Sequence, residues 1–231
     1  LLKLDRFKEA IAVFKQALDL DPESLSLQHN LAMALLGEKR YDEALETLAR
    51  SIKQQANADS FWIQGRVYLE NADPEKALTA FNQSMLLNPS HPFLFVDKAN
   101  CHLSLKQYDL AYESIQSAIK YALDNDGVIY HNIAHALHRL NRFDEAFVGY
   151  DIALEFDASN PDMLWNRSLL LLSTGNYEEG WALFEKRIQT KSLRDNYPVL
   201  EAKDWRGEFE ITGKKLLIYS EQGLGDVIQF S

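Results

Sequence analysis

The stretch N-R-F-D-E-A-F-V-G-Y-D-I-A-L-E-F, from Asn141 to Phe156, decides the fold. Phe143, Ala146, Tyr150 and Ala153 fall at i, i+3, i+7 and i+10, one face of an α-helix. The two alanines let a neighbouring helix come close, and the aromatics fill the space beside them. Charged residues take the opposite face. A single helix cannot bury such a stripe by itself, so the pattern predicts further copies.

They are present. Ala10, Ala44, Ala77, Ala111, Ala146 and Gly180 are spaced 34, 33, 34, 35 and 34 residues apart. Four residues after each comes a large apolar residue: Phe14, Leu48, Phe81, Ile115, Tyr150 and Phe184. Seven after the first five comes Ala17, Ser51, Ser84, Ala118 or Ala153. Three before the anchor stands an aromatic, with Pro74 the exception. Upstream of every anchor but the first is a second helical pattern, with a small residue twelve before the anchor: Ala32, Gly65, Ala99, Ala134 and Ser168. This is a helix–turn–helix unit repeated about every 34 residues. It resembles the tetratricopeptide repeat over residues 1–188, about five and a half copies. The resemblance implies an all-α, right-handed α-solenoid with a core shared between neighbours and a concave groove.

Composition fits. The chain has 231 residues, 46% hydrophobic and 25% charged, with few prolines and glycines, as an ordered globular chain does. No apolar run approaches the ~18 residues of a membrane span, and there is no leader with a basic start and apolar core. A net charge of −10 without a basic stripe argues against nucleic-acid binding. The single Cys101 excludes an intramolecular disulfide and suits a reducing, cytoplasmic setting. Leu1-Leu2-Lys3-Leu4 reads as the end of a first helix, so the chain is expected to be part of a longer protein.

Along the chain, repeat one is its second helix, near Phe7 to Leu20. Later repeats pair Leu25 to Leu36 with Tyr41 to Lys53, then run from Ala58 to Leu87, Pro92 to Ala122, Gly127 to Phe156 and Pro161 to about Arg187. Gly37 is expected to take the left-handed conformation at its turn, and Pro74 suits the first turn of its helix. In repeat six an arginine, Arg187, stands where a small residue is expected. A long cation does not fit a tight helix contact, so the regular array should stop or change partner there.

In tetratricopeptide proteins, certain first-helix positions face the groove. Carried over by that resemblance, the fifth positions are His29, Trp62, Val96, His131 and Trp165. The sixth are Asn30, Ile63, Asp97, Asn132 and Asn166, and the ninth are Met33, Arg66, Asn100, His135 and Leu169. Asparagine can satisfy both N–H and C=O of an extended peptide. A ladder of inward asparagines resembles the superhelix of O-linked N-acetylglucosamine transferase, although Ile63 and Asp97 interrupt it here. The same asparagines could instead brace neighbouring helices, and both readings stand. Trp62 and Trp165 read either as contacts for a partner or as packing. His131, His135 and His138 share one face. Spread over about two turns, ~10 Å, they are too far apart to close on one metal ion. No metal and no cofactor is expected, and no catalytic constellation stands out.

The end of the chain changes character. Residues 189–213 read as an irregular linker. Lys214 to Ser220 reads as a buried strand, followed by E-Q-G-L-G-D, a glycine loop with Asp226 at a helix start. The order G-W-x-L-F-E-x-R, W-x-G, G-K-x-L-L-I, E-Q-G-L-G-D-x-I-Q-F resembles bacterial proteins in which tetratricopeptide repeats precede a two-Rossmann glycosyltransferase domain. The loop is similar to the opening loop of heptosyltransferase-like enzymes. That resemblance implies a ligand-facing role for Gly223, Gly225 and Asp226 in an intact transferase domain, with residues 214–231 its start. Two functions follow. One is a non-catalytic scaffold holding a protein or peptide in its groove. The other is the acceptor-recruiting part of a glycosyltransferase. The tail is also expected either to cover Trp181 and Phe184 or to pair across a homodimer.

Overall fold

The computed structural model describes residues 6–122, 126–190, 210 and 212–213. The array is eleven α-helices among the described residues: α1 Phe7–Leu20, α2 Leu25–Gly37, α3 Tyr41–Gln54, α4 Ala58–Glu70, α5 Pro74–Leu87, α6 Pro92–Ser104, α7 Tyr108–Tyr121, α8 Gly127–Arg139, α9 Phe143–Phe156, α10 Pro161–Ser173 and α11 Tyr177–Phe184, closed by a 3-10 turn, Glu185–Gln189. The even-numbered helices are the first helices of their repeats, and the odd-numbered ones the second.

The helices start and stop by local chemistry. Asn57, Asp73, Asp126 and Asn160 accept backbone N–H groups at the starts of α4, α5, α8 and α10, and His91 Nδ1 does so for Leu94 at α6 (3.2 Å). At the ends of the first helices, five turns have one geometry. Arg40, Asp73, Gln107, Arg142 and Asn176 donate their N–H to the carbonyls of Leu35, Tyr68, His102, Leu137 and Leu171. The residue before each is left-handed: Lys39, Ala72, Lys106, Asn141 and Gly175, with φ between 57° and 85°. These are Schellman turns. Gly37 is therefore not the left-handed residue; it is the last residue of α2, and Lys39 takes the positive φ. Gly37 matters for a different reason. A Cβ there would meet the Phe7 ring at 2.7 Å, so glycine lets the preceding helix pack close.

The anchors behave as the pattern requires. Ala10, Ala44, Ala77, Ala111 and Ala146 are all fully buried, and Leu48, Phe81, Ile115 and Tyr150, four residues on from the last four, are too. The small first-helix positions face them: a Cβ on Gly65 would fall 2.4 Å from the Phe81 ring. Repeat six breaks the regularity at Arg187. Its second helix ends after eight residues and tightens into the 3-10 turn. The Arg187 guanidinium lies 4.3 Å over the Phe184 ring and donates to the Phe184 carbonyl at 3.2 Å. The cation thus lies against the last residue of its own helix, in a turn that packs on α10.

Curvature follows from which helices touch. Successive first helices contact one another, α2 with α4, α4 with α6, α6 with α8 and α8 with α10. Second helices contact the following first helix, but no comparable contact joins successive second helices among the described residues. The first helices thus crowd along the inner, concave side and the second helices splay along the outer side. The strand, glycine loop and dimer-forming tail expected after residue 213 lie outside the described residues; so do Gly223, Gly225 and Asp226.

Candidate functional site

The concave wall is built from first-helix side chains one repeat apart, and many of them bond across the gap. His29 Nε2 lies 2.7 Å from Ser60 Oγ, which in turn lies 2.9 Å from Ser51 Oγ. Trp62 Nε1 donates to Asp97 Oδ2 at 2.8 Å. Arg66 sits 5.2 Å over the Trp62 ring and reaches the Met33 sulfur at 3.8 Å. Arg139 donates to Asn100 Oδ1 at 3.1 Å. Asn166 Nδ2 and His131 Nε2 are 2.9 Å apart, and His138 Nε2 and Ser173 Oγ 3.2 Å. Fifth- and sixth-position residues thus serve in part as rungs between repeats, one of the two roles open for the asparagines.

Leu25, His29, Asn30, Met33, Trp62 and Ile63 line a cavity of about 590 Å3 between repeats two and three. Trp62 is at once packed and groove-lining, its ring 4.8 Å from that of His91. Trp165 is partly buried, and its Nε1 has no hydrogen-bond partner among the described residues. Val96, by contrast, is a core residue, 3% exposed. Asn30, Asn132 and His135 make no side-chain hydrogen bond among the described residues, and His135 is exposed.

Electrostatics follow from crowding. Burial pushes the Asp97 carboxyl up to about 6, while Arg66 and the Trp62 N–H pull it back. Burial lowers His29, His91, His131 and His138. It lowers His135 to about 4, helped by the charge of Arg139 and by His131 and His138. An exposed ring that nevertheless loses solvation is what a concave surface produces: open to water on one side, ringed by protein on the other. At neutral pH these imidazoles are uncharged hydrogen-bonding groups. The three histidines of α8 diverge, His131 toward Asn166 and His138 toward Ser173. Among the described residues no group of three or more His, Cys, Asp or Glu could hold a metal ion. None of the described helices is long and apolar enough to cross a membrane.

Sequence reading missed Ser60, His91 and Arg139. Ser60 precedes the rows considered on its helix. His91 stands directly before Pro92, the capping position, which could have flagged it. Arg139 is one turn beyond His135 on the same helix face.

Two family models, both described as tetratricopeptide repeat, match residues 1–62 and residues 58–91 and 128–160, together more than half of the chain. The chain belongs to the tetratricopeptide repeat proteins, a class of protein-interaction scaffold. It is 26% identical over 211 residues to protein FlbA of Caulobacter vibrioides, covering 91% of this chain and 30% of that protein. It is 28% identical to mouse tetratricopeptide repeat protein 16, covering 82% of this chain and 28% of that protein. The chain thus spans less than a third of these two relatives. Among solved structures, the tetratricopeptide repeat protein TTC0263 of Thermus thermophilus superposes with a TM-score of 0.67 at 21% identity, covering 74% of this chain and 93% of that one. YrrB, described as a tetratricopeptide protein with an unusual peptide-binding site, gives 0.50 at 20% identity, covering 78% and 92%.

Proposed function

We propose that this chain binds an extended peptide segment of a protein partner along the concave wall of α2, α4, α6, α8 and α10, as a non-catalytic scaffold of a reducing, cytoplasmic setting. The observation that supports this is the cavity between α2 and α4, lined by His29, Asn30 and Trp62, continued by polar bonds between successive first helices at Trp62–Asp97, Arg139–Asn100 and Asn166–His131. Asn30 and Asn132 keep both donor and acceptor capacity for a peptide backbone. Trp62 supplies a rigid aromatic surface with its polar end already satisfied. YrrB, which shares the fold, is described as having a peptide-binding site, and this supports a peptide as the ligand.

The test is selection of a random 12-residue peptide pool on the immobilised chain. Peptides so recovered should lose at least tenfold in affinity to Asn132→Ala combined with Trp62→Ala, and nothing to the outer-face pair Gln83→Ala and Glu113→Ala. Recovery of no peptide, or loss confined to the outer-face pair, contradicts the proposal.

A second reading rests on the tail. The G-K-x-L-L-I and E-Q-G-L-G-D order, beginning at Gly213, fits the opening of a transferase domain, in which case the repeats recruit its acceptor protein. Sequence beyond Ser231 encoding a nucleotide-sugar half would support it.

A further inference from the structure

The wall is uneven in what it leaves unsatisfied. Toward its N-terminal end most polar groups bond one another, His29 with Ser60, Trp62 with Asp97 and Arg66 over the Trp62 ring, with Asn30 the exception. On α8 the balance differs. Asn132, His135 and Arg139 fall at i, i+3 and i+7, one face of the helix. Neither the Asn132 amide nor the His135 ring has a hydrogen-bond partner among the described residues, and Arg139 gives one N–H to Asn100.

Charge separates this face further. Arg6, Arg40, Arg142 and Arg167 each pair with a carboxylate. Arg139 forms no such pair among the described residues, and neither do Arg50, on the second helix α3, and Arg66, which lies over the Trp62 ring. The ionisable groups that act on His135 are Arg139, His131 and His138, all basic, and no carboxylate acts on His131 or His135. Arg139 is exposed, so an anion can reach its guanidinium from the open side of the wall. Its free N–H groups suit a carboxylate in particular.

We infer that α8 reads an acidic side chain, Asp or Glu, of the partner segment, with Arg139 taking the carboxylate and His135 and Asn132 donating beside it. The inference rests on the groove reading above. An internal side chain fits better than a chain terminus, because the wall continues on both sides: Asn100 of α6 precedes Arg139, and Trp165 and Asn166 of α10 follow. Phosphate of a nucleic acid meets the same guanidinium, but a polyanion is repelled by the net charge.

The experiment is an array of C-terminally amidated 12-residue peptides randomised at every position, probed with the wild-type chain, Arg139→Gln and Arg139→Lys. Arg139 is exposed, so both variants should keep the wild-type helical circular dichroism. Wild-type binders should be enriched in Asp or Glu at one position, and the change of that acid to its amide should weaken binding about tenfold. In Arg139→Gln both the enrichment and the tenfold effect should vanish, and in Arg139→Lys part of each should remain. Binding without acid enrichment, or enrichment that survives Arg139→Gln, overturns the inference and leaves the groove reading standing. Absence of any bound peptide overturns the groove reading, and this inference with it.

Discussion

Trp62 shows how a single residue is committed here. Its ring packs on His91, carries Arg66 and lines the cavity, while its N–H holds the partly buried Asp97 carboxylate. Trp62→Phe keeps the aromatic surface and removes the donor. Asp97 is then a desolvated carboxylate without that hydrogen bond, and urea unfolding should show a loss of about 1–3 kcal/mol. Ala72 makes the opposite prediction. It is an alanine at φ 57°, where a Cβ costs on the order of 1 kcal/mol. Ala72→Gly should therefore raise the urea midpoint despite the added freedom of the unfolded chain, because the turn, unlike a helix interior, requires that conformation.

Protonation at single residues also has a definite sign. The unfolded chain protonates its imidazoles near pH 6.5. The folded chain resists: His29, His91, His131 and His138 are all held lower, and His135 titrates at about 4. Stability attached to these groups is complete above pH 6.5 and is lost as pH falls toward 4. Asp97 opposes this. Its folded value of about 6 lies above the unfolded carboxylate value, so proton uptake between pH 6 and 4 favours the folded state. Five imidazoles against one carboxyl give a net fall in thermal midpoint from pH 7 to 5. His135→Asn should flatten that fall and Asp97→Asn should steepen it; equal slopes for all three proteins would contradict the assignment.

At the scale of the element, the repeat was legible because its determinants are local and recur. The alanine anchors, the apolar residues four on from Ala44, Ala77, Ala111 and Ala146, and the small residues Ala32, Ala99, Ala134 and Ser168 all sit where the spacing placed them, buried. Ala146→Leu should therefore overpack a closed contact and cost on the order of 1–3 kcal/mol, read as a lower thermal midpoint. The misfit at Arg187 was legible too, but α11 ends three residues before it, at Phe184, and a 3-10 turn carries the chain past Arg187 to Gln189. The turns were less legible. Glycine is the usual left-handed residue, yet Lys39, Ala72 and Lys106 hold that position because two backbone hydrogen bonds fix each turn. Side-chain rungs such as His29–Ser60 and Arg139–Asn100 could not be read at all, since they depend on the angle between helices whose bonded residues lie 31 and 39 positions apart. Spacing gave the face of each helix and left open which residues on that face would bond each other.

For the whole molecule, the account is that first helices crowd on the inner side and leave one continuous wall for a partner. The outer helices carry much of the acid, with Asp144, Glu145, Asp151 and Glu155 on α9 alone, whereas α8 on the wall carries no carboxylate. The two sides of the repeat thus differ: buried anchors hold each helix pair together, and the acid of α9 lies on the outer side. Hydrogen exchange of the chain with and without a peptide recovered from the random pool tests this most directly. New protection should appear along α2, α4, α6, α8 and α10 and leave the exposed faces of α3, α5, α7 and α9 unchanged. Protection centred on those second helices instead would contradict the account.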